Sequence, residues 1–71
     1  MIKFSISDDY IQLNSLLKAT NLCDSGGMAK SVIDDGVVVV NSVVEFRRRY
    51  KARVGDIVEF AGEKIMITKD E

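Results

Sequence analysis

At Gly36 the spacing of the apolar residues changes, and that change limits what this chain can fold into. Before it, Leu13, Leu16 and Leu17 recur at i, i+3 and i+4, and Ala29, Val32 and Ile33 repeat the interval. Each set lays one apolar stripe along a helix. After it, "VVVVNSVVEF", "DIVEF" and "KIMIT" are β-branched or alternating runs of strand length, set apart by Asn41-Ser42, Gly55-Asp56 and "AGE". At the start, "IKFSI" alternates with Ile2, Phe4 and Ile6 on one face and reads as another strand. The order is strand, helix, helix and then four short strands. In 71 residues that is one domain, residues 1–71, of the α+β class: two short packed helices against a small, mostly antiparallel sheet.

The residues between these segments suggest how each one ends. Asp8 or Asp9 is placed to stand just before the first helix, and Asn21 to stop it, because asparagine tolerates the left-handed conformation. About four residues are expected between the helices. Asp24 or Ser25 caps the second helix by accepting a bond from a free backbone N–H, and Gly36 closes it. Asn41-Ser42 marks a hairpin. A two-residue primed turn needs positive φ at both central residues, and serine there costs about 1 kcal/mol, so a wider loop is expected.

Composition excludes several kinds of chemistry. The chain has no histidine and one cysteine, Cys23, so neither a transition-metal site nor an internal disulfide is expected, and the commonest general base is missing. Cys23 itself reads as a packing residue in the helix connection. No apolar run is long enough for a signal peptide or a membrane span, and a soluble cytoplasmic protein is expected. No cofactor, no small-molecule substrate and no enzymatic activity are expected.

Charge is where the sequence becomes specific. Formal net charge is −1, yet five of the ten cationic residues, Arg47, Arg48, Arg49, Lys51 and Arg53, fall within residues 47–53. Their mutual repulsion opposes folding unless solvent or an anionic partner relieves it. The acidic remainder limits indiscriminate association, which suits a selective phosphate binder. Guanidinium forks match phosphate oxygens two at a time. On an extended segment Arg47 and Arg49 would point one way and Arg48 the other, whereas a loop could gather them on one surface. Tyr50 adds an aromatic ring able to stack on an unpaired base. Elsewhere, Ser25-Gly26-Gly27 opens a helix whose first N–H groups lack partners, and two glycines leave no Cβ in the way of a phosphate. Lys30, about one turn on, can stand beside the same anion. The bland alternative is that the glycines serve tight helix entry or close packing. Asp34-Asp35 end that helix against its dipole and read as solvent-facing.

The ordered set "LNSLLKATNLCDSGGMAKSVIDDGVVVVNS…ARVGDIVEF" resembles the S4 RNA-binding domain. Leu13, Leu17, Leu22, Ser25, Ala29, Ile33, Gly36, Val38, Val40, Asn41, Gly55, Asp56 and Val58 fall on or near its pattern, across roughly residues 11 to 60. The likeness is strongest to standalone bacterial S4-like proteins, which carry S-G-G-x-A-K and an arginine run. It implies the S4-like (αL motif) fold and a non-catalytic RNA-binding function. The implied partner is structured RNA, ribosomal RNA among the candidates, bound by a monomer with no role at a membrane. The binding residues then expected are Ser25, Gly26, Gly27, Lys30, Arg47, Arg48, Arg49, Lys51 and Arg53. Departures from the pattern are Gln12 and Asn14 for an Arg and an Asp, Gly26 for a frequent phosphate-contacting Arg, Val54 for Pro and Ser42 for Gly. The rival reading is a protein-interaction adaptor that docks an acidic protein through the same basic segment, with an edge strand pairing alongside.

Overall fold

The computed structural model describes residues 1–70. Strand β1 (Ile2–Ile6) turns Ile2, Phe4 and Ile6 toward the interior, as its alternation predicts. Helices α1 (Leu13–Ala19) and α2 (Gly26–Asp34) pack on each other and bury Leu13, Leu16, Leu17, Ala29 and Ile33, with Val32 half-buried at the margin. Asn21 follows α1 at φ 62°, in the left-handed region expected of it. Gly36 follows α2 at φ 75°, and a Cβ there would lie 3.0 Å from the Phe46 ring. Both the backbone angle and the close approach therefore require glycine at this position.

Two short strands fell below the reach of periodicity. Strand β2 (Ile11–Gln12) pairs antiparallel with β5 (Lys51–Ala52), Ile11 facing Ala52, as a separate two-stranded sheet. The main sheet adds β3 (Val39–Val40), β4 (Val43–Val44), β6 (Ile57–Phe60) and β7 (Glu63–Lys69) to β1, in the order β1-β7-β6-β3-β4. Its pairs are antiparallel except β1 with β7, where Ile2 lies opposite Ile65 and Ile6 opposite Lys69. The two helices and the sheet share one apolar core, completed by Val38, Val40, Val58, Ile65 and Ile67. Among the described residues no polar or charged side chain is buried, and no helix is long and apolar enough to cross a membrane.

The punctuation was less legible than the elements. Neither Asp8 nor Asp9 precedes a helix directly, because β2 intervenes and Gln12 stands at the cap without a side-chain bond. Backbone fills that role instead: the N–H of Leu13 donates to the Tyr50 carbonyl at 2.9 Å, and that of Asn14 to the Arg48 carbonyl at 3.0 Å. Six residues, 20 to 25, join the helices, and Cys23 is buried there with its N–H on the Leu17 carbonyl. Burial first, and then the charge of Asp24, pushes its thiol up from the ordinary value, which suits a packing residue.

The hairpin loop is two residues long and no wider: Val40 pairs with Val43, and Asn41 and Ser42 sit at φ 50° and 71°. The Asn41 side chain explains how a non-glycine turn is held. Its Oδ1 accepts from the Ile57 N–H at 2.9 Å and its Nδ2 donates to Asp56 Oδ1 at 3.0 Å. Each such bond contributes about 1 kcal/mol, enough to offset the conformational cost of the turn.

Candidate functional site

The cationic segment begins where β4 leaves the sheet. Glu45 still bonds to Val38 through its N–H, and Phe46 then lies over Gly36 at the end of α2. Residues 47 to 50 form a turn closed by the Tyr50 N–H on the Arg47 carbonyl at 3.1 Å. The extended alternation of Arg47, Arg48 and Arg49 therefore does not occur. The turn is anchored from below, since its Arg48 and Tyr50 carbonyls receive the first N–H groups of α1. A loop that serves as a helix cap cannot drift without uncovering those donors.

Side chains fix the loop from above. Arg47 makes a two-pronged pair with Glu45, Nε to Oε2 at 2.9 Å and one terminal nitrogen to Oε1 at 2.8 Å. The Glu45 side chain is only 14% exposed while that of Arg47 is 73% exposed, so the carboxylate is the anchor and the guanidinium the outer part. Hydrogen bonding from Arg47 is the main reason the Glu45 carboxyl lies below its ordinary value despite its burial. The Arg47 guanidinium also stands 5.3 Å from the Tyr50 ring centroid. Tyr50 donates its hydroxyl to Asp56 Oδ2 at 2.8 Å, and the same oxygen accepts from the Arg53 N–H at 3.1 Å. That hydroxyl bond, then burial, pushes the Tyr50 phenol up from its usual value.

Asp56 is thus the common point of hairpin, loop and turn. Burial alone would raise its carboxyl, but the bonds from Asn41, the Arg53 backbone and Tyr50, with the Arg53 charge, together carry it below the usual range.

The result is an open cleft of about 650 Å³ lined by Arg47, Arg48, Arg49, Lys51 and Arg53, with Phe46, Tyr50 and Asp34. All five cations of the cluster therefore meet in one place. Lys51 Nζ stands 5.1 Å from the Tyr10 ring centroid, and Arg53 reaches the Lys51 carbonyl at 3.2 Å. Among the described residues only Arg47 of the five has a carboxylate within ion-pair distance. Lys30 is joined to the rim indirectly, through its 3.2 Å pair with Asp34.

The start of α2 lies at the other end of that helix, about 13 Å away along its axis at ~1.5 Å per residue. Ser25 caps it as expected, its Oγ accepting from the Met28 N–H at 3.1 Å. The N–H groups of Gly26 and Gly27 have no acceptor among the described residues. A Cβ on Gly26 would meet nothing within 4 Å, and one on Gly27 only Ser25 Oγ at 3.8 Å. Neither has a positive φ. Close packing is therefore no reason for either glycine. Ser25, Gly26 and Gly27 do not line the cleft, so the expected residues form two patches linked along α2 by Lys30 and Asp34.

Sequence reasoning passed over Asn41 and Asp56 as functional supports, although both stood within the resemblance. Their hydrogen bond joins the hairpin loop to the turn before β6, and no local sequence pattern marks it. Among the described residues no group of three or more His, Cys, Asp or Glu could hold a metal ion.

Known proteins are similar to this chain in sequence and in fold. The sequence profile described as "S4 domain" matches residues 4–68. A Bacillus subtilis protein named "Probable ribosome maturation protein RlbA" is 41% identical over 58 residues, 82% of each chain. YbcJ of Escherichia coli, a candidate RNA-binding protein, is 37% identical over 68 residues, 94% of this chain and 97% of its own. The solution structure of YbcJ superposes with a TM-score of 0.74 at 36% identity, covering 96% of this chain and 87% of that one, and is described as revealing an αL motif involved in RNA binding.

Proposed function

The chain belongs to the S4 domain family, and we propose on that footing that it is a non-catalytic RNA-binding protein whose target is structured RNA. The observation that carries this reading is the cleft. Four cations, Arg48, Arg49, Lys51 and Arg53, share it without a carboxylate partner among the described residues. Such a concentration of unpaired charge is relieved by phosphates, which arginine engages two oxygens at a time. The start of α2, with Ser25, Gly26, Gly27 and Lys30, supplies a second contact through bare N–H groups at the positive end of the helix. Contacts of both kinds position an RNA and do not read its bases. The RNA-binding description of YbcJ supports RNA as the partner, and the ribosome-maturation name of the Bacillus subtilis relative supports ribosomal RNA as its class.

The adaptor reading draws less support. The exposed edge of the main sheet on the hairpin side is β4, two residues long, and so short a strand offers few backbone bonds to a partner.

Salt dependence tests the proposal directly. Four neutralised phosphates give log K against log salt a slope of about −3 with the single-strand coefficient. The triple variant R48A/R49A/R53A should flatten that slope to about −1 and weaken binding at low salt by more than tenfold. Its thermal melt should stay close to that of the parent, because all three side chains are exposed. An unchanged affinity in the triple variant would remove the cleft from the binding surface.

A further inference from the structure

We infer that Phe46 is a stacking platform for an unpaired base, so that the RNA held by the cleft carries an unpaired nucleotide beside the bound phosphates. This rests on the RNA-binding reading above and adds the kind of nucleotide recognised.

Five aromatic rings are present in the chain. Phe4 and Phe60 are half-buried against the core. Tyr50, the ring that sequence reading would offer to a base, is committed: its hydroxyl is on Asp56 and the Arg47 guanidinium stands 5.3 Å from its centroid. Tyr10 has Lys51 Nζ 5.1 Å from its centroid. Phe46 is the ring left with neither arrangement among the described residues, and it is 61% exposed within the wall of the cationic cleft.

The ring is braced without being covered. Its Cε1 and Cζ edge rests over Gly36, where an added Cβ would come within 3.0 and 3.2 Å, and Val44 closes on the same spot. An apolar ring held at one edge, open beyond it and flanked by arginines is suited to a nucleotide: cations take the phosphate and the π-face takes the base. In a duplex both faces of each base are occupied by its neighbours, so this ring can engage only a base in a loop, bulge or single strand.

The test uses a short single-stranded RNA with 2-aminopurine at its centre, and the same strand annealed to its complement. Parent protein should quench the 2-aminopurine of the single strand. F46L, which keeps an apolar contact over Gly36, should lose that quenching and bind the single strand about tenfold more weakly. Its loss on the duplex should be clearly smaller than on the single strand, its melt should match that of the parent, and F46W should restore both quenching and affinity. Equal single-strand binding by F46L and parent, or an equal loss on both RNAs, would overturn the role of Phe46 and leave the RNA-binding reading standing. Failure of the parent to bind either RNA would overturn that reading itself.

Discussion

At the start of α2, Gly26 and Gly27 offer backbone with only the Ser25 hydroxyl beside it, whereas past the other end of the helix Asp34 faces a loop fastened by carboxylates. Both regions are suited to anions, by different means. The loop concentrates like charges, and their repulsion has to be met by anchors: Glu45 under Arg47, and Asp56 under Tyr50 and the Arg53 backbone. The helix start needs no anchor, since its charge comes from aligned peptide dipoles. Binding and folding should therefore be coupled in the loop and opposed at the helix start.

The coupling is broken most severely at Asp56. D56A removes the acceptor for Asn41, Tyr50 and the Arg53 N–H together, at about 1 kcal/mol per bond. The variant should lose about 2–3 kcal/mol in urea denaturation and bind RNA more weakly, because the loop that carries the cations loosens. The same carboxylate sets an acid limit. Its folded value and that of Glu45 lie below the ordinary ones, so the stability they contribute is present above about pH 4 and is lost as pH falls through the lowered values. D56A should show a shallower acid decline than the parent. A full-strength decline in D56A would transfer the acid sensitivity to other carboxylates.

Opposed behaviour is the expectation at the glycines. Alanine at Gly26 and Gly27 meets no clash, and the helix gains about 1 kcal/mol for the pair. The methyl groups crowd the N–H groups, so G26A/G27A should melt higher yet bind RNA about two- to fivefold more weakly. A variant that gained stability with no loss of affinity would leave the cleft as the whole interface.

These two regions also differ in how far they could be read from the chain. Helical stripes at Leu13, Leu16, Leu17 and at Ala29, Val32, Ile33 give α1 and α2 directly, because burial imposes a 3.6-residue period that survives in one dimension. The cation cluster is equally plain as a string of arginines. Its shape is not, since the turn at 47–50 depends on carbonyls of Arg48 and Tyr50 capping α1, a contact across more than thirty positions of sequence. Strands β2 and β5 escape notice for a related reason: two residues carry no period. Asn41 and Asp56 were visible as members of a resemblance, but their hydrogen bond crosses from hairpin to turn and no local pattern encodes it. Phe46 read as the last residue of a strand, and its exposure follows from Gly36, ten positions earlier in the chain.

Asp34 touches both regions and separates their contributions. It lines the cleft, pairs with Lys30 at 3.2 Å, and carries a negative charge at the negative end of α2. Losing an exposed i,i+4 pair costs about 0.3–0.5 kcal/mol, and relieving the dipole returns a similar amount, so D34N should be nearly neutral in stability. Its charge repels phosphates in the cleft, so RNA affinity should rise about two- to threefold at low salt and the gain should fade as salt screens it. The source of the gain is decided by repeating the substitution with Lys30 replaced. If D34N still helps in a K30Q background, the benefit comes from the cleft cations. If it vanishes there, it comes from Lys30 released toward the glycine end, and the smaller patch contributes more than its bare backbone.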